Sequence, residues 1–150
     1  MNKILSLKQD PSQGPYVRPL PEITTENRPF WDGLKKRQFL VPKCRACGDW
    51  NWSPYPACRS CLSEDLEWKP VSGFGKIYSF CITHRGASWF APFSPYAWGW
   101  VELDESPRPL LVMTNFVGCA PDELRMDMRV KVEYEDIAGE DVTLYRFAPA

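Results

Sequence analysis

The chain has 150 residues, 44% hydrophobic and 25% charged, with a formal charge of −1. This is the make-up of an ordinary globular protein, one domain or a small domain with an appendage, able to bury a core. No apolar run approaches the roughly 18 residues a membrane-spanning helix needs. The ILSL stretch between Lys3 and Lys8 is too short for an export signal, so the expected compartment is the cytoplasm, where thiols stay reduced.

Residues 1–23 are rich in proline and polar residues without periodicity, and read as an extended arm, loose or laid on a partner. The stretch TTENRPFWDGLKKRQFL predicts a helix within 24–38. Thr24, Thr25 or Asn27 can cap it, Pro29 fits its first turn, and Phe30, Trp31 and Leu34 share a face that needs something to dock on. Residues 39–44 and 65–71 read as strands entering and leaving a cysteine-rich segment within 39–70. Beyond it the pattern turns to β over 71–150. Strands are expected at 76–84, 96–104, 108–116, 128–136 and 142–149, with a turn at Glu105-Ser106-Pro107 and one helical turn at 121–126. In the first of them Tyr78, Phe80 and Ile82 are expected to share a face. A mainly β chain with five such strands and a brief helix between the third and fourth is the layout of an OB-fold barrel, though a small sandwich gives a similar string.

The segment CRACGDWNWSPYPACRSC carries Cys44, Cys47, Cys58 and Cys61 as two Cys-x-x-Cys pairs. Each tight turn brings two sulfurs to one point, and two turns complete a tetrahedral four-sulfur site for Zn²⁺. Gly48 suits the positive φ that follows such a turn, whereas Leu62 occupies the matching place after Cys61. Four-sulfur coordination leaves no open position, so the metal is structural rather than catalytic. Disulfides conflict with the compartment, and a redox motif needs only one pair; iron in a rubredoxin-like site shares the same ligand set.

Cys81 and Cys119 read as small strand residues, and the single histidine, His84, lies three residues from Cys81, on the opposite face of a strand. No catalytic residue is assigned. Residues 1–100 carry 13 Lys and Arg against 8 Asp and Glu, and residues 101–150 carry 5 against 11. The acidic β half disfavours nucleic acid, the rival ligand that zinc ribbons and OB-folds both suggest. The stretch HRGASWFAPFSPYAWGW (84–100) is too aromatic for a solvated connection; Trp98 and Trp100 are assigned to barrel core, and Trp89, Phe90 and Phe93 to contact.

FWDGL (30–34), the two cysteine pairs, DLEW (65–68), SGFGKIYSF (72–80), VELDE (101–105), TNFVG (114–118), PDELRMDMRVKV (121–132) and YRFAP (145–149) occur in the order of a known family. The sequence resembles the DUF35 proteins, a rubredoxin-like zinc ribbon followed by an OB-fold. It departs from that pattern at Leu62 and Asp127, where glycine is usual. The resemblance implies an accessory subunit, non-catalytic alone, of a thiolase-like enzyme complex that makes or cleaves a β-ketoacyl-CoA. An aromatic or otherwise bulky acyl-CoA is the expected substrate, and a partner acting as acyl-CoA aldolase is the alternative. It also implies a structural zinc, coenzyme A as ligand of the complex, and a hetero-oligomer away from nucleic acid and membranes. The residues nominated for contact with CoA, the acyl group or the partner are Lys36, Arg37, Arg45, His84, Arg85, Trp89, Phe90 and Phe93, with Phe30 and Trp31 as a docking face.

Overall fold

A computed structural model describes residues 3–105 and 108–150. A helix α1 (Arg28–Lys35) precedes a two-stranded ribbon, β1 (Leu40–Cys44) and β2 (Leu66–Pro70), paired antiparallel with Leu40 opposite Pro70 and Cys44 opposite Leu66. Then come β3 (Phe74–Thr83), β4 (Tyr96–Leu103), β5 (Leu110–Phe116), β6 (Arg129–Asp136) and β7 (Thr143–Pro149). They close in the order β3-β4-β5-β7-β6, β3 pairing with both β4 and β6. Closure decides against a sandwich and for the OB-fold. The expected 121–126 turn is a 3-10 turn at Pro121–Glu123, and Asp127 follows with φ +62. Of the turn expected at Glu105-Ser106-Pro107, Ser106 and Pro107 lie outside the described residues.

The helix is shorter than expected, and its stop is local. Arg37 sits at φ +60, its N–H donates to the carbonyl of Leu34 (3.0 Å), and Gln38 N–H donates to the carbonyl of Gly33 (2.9 Å). This is a Schellman ending built on arginine instead of glycine. At the other end Asn27 is the N-cap residue, but its side chain is used elsewhere, accepting from Thr24 N–H (2.8 Å) and donating to the Glu22 carbonyl (3.0 Å).

Two expectations about which way rings point are corrected. In β4 the inward positions are Ala97, Gly99, Val101 and Leu103, so Trp98 and Trp100 lie outside, 40% and 39% exposed. A Cβ at Gly99 would collide with the carbonyl oxygen of Ser79 and stand 2.7 Å from Phe80 Cα, so β3 and β4 approach too closely there for any inward side chain. In β3 the register against β4 shifts between Ile77 and Ser79. That bulge puts Tyr78 outside, while Phe80 and Ile82 pack on the core, separating residues the alternation placed together.

The described part of the arm, residues 3–23, is anchored on the rest of the chain at Leu5, Leu7 and Arg18, with most of its other side chains exposed or half-buried. Leu5 and Leu7 are buried; Leu5 N–H donates to the Cys119 carbonyl (2.8 Å), and Gly118 N–H donates to the Leu5 carbonyl (3.0 Å). Arg18, 4% exposed, donates to the Leu7 carbonyl and lies 4.1 Å from the Phe93 ring centre.

Phe30 is likewise taken up internally. Its ring meets Phe39 at 5.2 Å, Trp52 at 4.8 Å and Tyr145 at 5.6 Å, all edge-on, where helix, ribbon and barrel converge. It is 2% exposed, which removes it from the proposed docking face; Trp31 beside it is half-buried. Such aromatic pairs add to the free energy of burial because ring edges and faces carry opposite partial charge. Replacing Phe39, 1% exposed at the centre of this cluster, with alanine should destabilise the fold by about 3–5 kcal/mol, read as a lowered urea midpoint at unchanged slope.

Candidate metal centre

The two Cys-x-x-Cys turns are near copies of one another. Cys44 N–H donates to the Asp49 carbonyl (2.8 Å) and Gly48 N–H to the Cys44 carbonyl (2.9 Å). Fourteen positions on, Cys58 N–H donates to the Ser63 carbonyl (2.8 Å) and Leu62 N–H to the Cys58 carbonyl (2.8 Å). Gly48 has φ +77 and Leu62 φ +63, so leucine accepts the left-handed position that glycine occupies in the first turn. Its side chain stands in solvent, 78% exposed, so the strain there is not compounded by crowding.

The four Sγ atoms of Cys44, Cys47, Cys58 and Cys61 lie within 4.8 Å of one another, with Cys44 to Cys61 and Cys47 to Cys58 both at 3.6 Å. Tetrahedral zinc with sulfurs ~2.3 Å away requires sulfur separations of about 3.8 Å, so the donor set fits a metal of that size. Amide hydrogens already point at the sulfurs, Cys47 N–H to Cys44 Sγ (3.5 Å) and Ser60 N–H to Cys58 Sγ (3.4 Å). Burial resists ionisation of Cys58, yet the amides of Cys61 and Ser60 and the Asn51 side chain bring its thiol down to about 6. Cys47, despite the Asp49 amide, is pushed up to about 12 by burial and the neighbouring sulfurs. Four adjacent thiolates repel one another, and a divalent cation removes that repulsion.

Behind the sulfurs lies a support that cysteine spacing alone does not reveal. Asn51, 2% exposed, donates to the Asp49 carbonyl (3.2 Å) and Cys58 Sγ (3.6 Å), and accepts from Arg59 N–H (2.9 Å), tying the two turns together. Asp49, 5% exposed, accepts from Trp50 N–H (3.1 Å), from the Ser60 hydroxyl and from Arg108 (3.3 Å), which reaches across from the barrel. The signal in the sequence was D-W-N-W, two polar residues alternating with rings that must face a core.

The nominated contact residues do not converge on one site. Arg37 makes a bidentate pair with Asp136 (2.9 and 2.7 Å), and Arg45 pairs with Asp65 (3.1 Å) and Glu67 (3.5 Å), so both are engaged within the chain. Phe93 is covered by Arg18. Lys36, His84, Arg85 and Trp89 are exposed, the first three without ion pairs among the described residues. Phe90 and Trp31 line one cavity of about 370 Å³ on the outside of the barrel. Cys119 is buried, and burial followed by the charge of Glu123 pushes its thiol up, the reverse of an activated nucleophile. No helix among the described residues is long and apolar enough to cross a membrane.

Comparison with known proteins gives a consistent likeness. Residues 31–67 match the ChsH2 rubredoxin-like zinc ribbon domain, and residues 68–135 match the ChsH2 C-terminal OB-fold domain. A probable enoyl-CoA hydratase alpha subunit of Thermomonospora curvata is 33% identical over 134 residues, 89% of this chain and 40% of that protein. The benzoylsuccinyl-CoA thiolase subunit BbsA of Thauera aromatica is 31% identical over 90 residues, 60% of this chain and 58% of its own length. The chain thus spans less than two thirds of either curated relative. A solved structure described as Ltp2-ChsH2(DUF35) aldolase superposes with a TM-score of 0.76 at 30% identity, covering 87% of this chain and 98% of that one.

Cys58→Ala should abolish metal retention. Asn51→Ala should weaken metal affinity about 10–100-fold while leaving the ligands in place, measured by competition with a chromophoric chelator. Because protons compete for the thiolates, retention should fall as pH falls.

Proposed function

This chain belongs to the DUF35 family of paired zinc-ribbon and OB-fold domains, and from that premise we propose that it is an accessory, zinc-holding subunit of a thiolase-type enzyme acting on a CoA thioester. The ribbon holds one Zn²⁺ through Cys44, Cys47, Cys58 and Cys61, and the filled coordination sphere keeps the metal out of the reaction. The chain's own task is to present a rigid surface to the enzyme subunit and complete its acyl-CoA site, for cleavage or formation of a β-ketoacyl-CoA with an aromatic or other bulky acyl group. What supports the reading most is the likeness over 98% of the DUF35 chain in an aldolase assembly, joined to the thiolase subunits among its relatives.

The same structural neighbour favours a second reading, in which the partner is an acyl-CoA aldolase. The two reactions have different balances. Thiolysis consumes one free CoA, whose sulfur takes the acyl group as the carbon–carbon bond breaks, and yields two products that both carry CoA. Retro-aldol cleavage consumes no CoA and releases one product as a free carbonyl compound.

The chain should co-purify from its native host with a thiolase-like polypeptide, and the reconstituted pair should turn over a CoA thioester that neither chain turns over alone. Dependence of that turnover on added free CoA assigns thiolase; independence assigns aldolase. Recovery of the zinc-loaded chain as a stable monomer with no enzyme partner overturns both.

A further inference from the structure

Under the N-terminal arm lies a cavity of about 200 Å³ that the metal centre does not use. Its apolar walls come from Leu5 and Leu7 of the arm, Val117 just beyond β5, and Tyr134 of β6. Arg146 of β7 and Glu135 of β6 also line it, each side chain only 13% exposed. Their ion pair is loose, with Arg146 Nη2 3.6 Å from Glu135 Oε2, too far for a hydrogen bond. Nη1 of Arg146 donates to the Tyr145 carbonyl (3.1 Å), but its buried Nε has no hydrogen-bond partner among the described residues.

A second guanidinium is buried within electrostatic reach of Arg146. Arg18, 4% exposed, donates through Nη2 to the carbonyl of Leu7, one of the residues that wall the cavity. The rings of Phe93 (4.1 Å) and Tyr16 (4.8 Å) pack on its plane, yet its buried Nε and Nη1 are without a hydrogen-bond partner among the described residues. Burial holds its pKa below the ordinary arginine value, and the charge of Arg146 acts the same way, against Tyr16 and Glu135. Two buried cations thus share one buried carboxylate. Lys8 and Glu133, the other charged residues on the cavity, are exposed and of opposite sign, so they leave that imbalance standing. Three unmet donor nitrogens beside an excess of buried positive charge call for an anion.

We propose that the cavity between arm and barrel binds a small monocarboxylic acid. Its carboxylate lies against Arg146, with Arg18 as the second positive charge, and its short alkyl chain lies between Leu5, Leu7, Val117 and Tyr134. Charge balance specifies one negative charge. The apolar walls select an organic acid, since they gain nothing from an inorganic ion. The volume sets the size. It lies below the roughly 300–1,000 Å³ of sites for larger ligands, which excludes a nucleotide and admits a chain of about six carbons. An acid held there touches both arm and barrel, so its binding and the docking of the arm reinforce one another. The site stands apart from the zinc ligands and from the subunit assignment.

The test is calorimetry on the zinc-loaded full-length chain with sodium hexanoate, sodium formate and hexanamide at constant ionic strength. Hexanoate should bind at least about tenfold more tightly than formate, which lacks the chain, and than hexanamide, which lacks the charge. Arg146→Gln should abolish hexanoate binding, and so should Val117→Trp, which fills the cavity. Ile4→Asp, at a 56% exposed position on the cavity wall, should weaken it by adding a like charge. Each variant is checked for wild-type melting, and Ile4→Asp decides where either of the others melts low. Arg146 also borders the 370 Å³ cavity that contains Trp98, so Trp98→Ala should leave hexanoate binding unchanged. Binding lost with Trp98→Ala but kept with Val117→Trp overturns the proposal in favour of that cavity. Formate binding as tightly as hexanoate overturns it in favour of a bare anion site, and hexanamide doing so, in favour of an apolar void. No binding at all overturns it in favour of buried water on the two guanidinium groups.

Discussion

The structure depends on one knot of rings. Phe30 from α1, Phe39 ahead of β1, Trp52 from between the cysteine turns, and Tyr145 and Phe147 from β7 meet within 4.8–6.5 Å, mostly edge to face. Two pieces too small to fold alone thereby share the core of the barrel. An eight-residue helix and a two-stranded ribbon each lack the buried area for independent stability. Arg37 with Asp136 and Arg108 with Asp49 add polar ties at the edges of this junction.

That junction couples the metal to the rest of the fold. The segment between the two cysteine turns supplies Trp50, 8% exposed, and Trp52, and both pack on the common core. The cysteines set where this segment runs, because the sulfurs converge only when both turns are formed and Asn51 bridges them. A metal bound there therefore organises two aromatic side chains some residues away, which is how a closed site influences a surface it never touches.

Much of this was legible beforehand for identifiable reasons. The cysteine spacing, the five strands and the 3-10 turn at Pro121–Glu123 are local patterns, and local patterns survive folding. Leu62 and Asp127 stood out as departures from glycine, and both take φ above +60. What was not legible depended on long-range geometry. Alternation cannot say which face of β4 is inward; the close approach of β3 at Gly99 decides it and turns Trp98 and Trp100 outward. Nor can it foresee the bulge after Ile77, or that Leu5 and Leu7 of a proline-rich arm would find a place under the barrel. The basic residues were visible, but their partners, Asp136 for Arg37 and Asp65 for Arg45, lie 99 and 20 positions away.

The tight approach of β3 and β4 at Gly99 has an evolutionary corollary. With the interior restricted there to a hydrogen atom, the inside of that strand is frozen, while its outer rings stand about two-fifths in solvent. Substitutions at Trp98 or Trp100 therefore disturb the barrel less than any side chain at Gly99 would, so a lineage can vary this outer face while inheriting the scaffold.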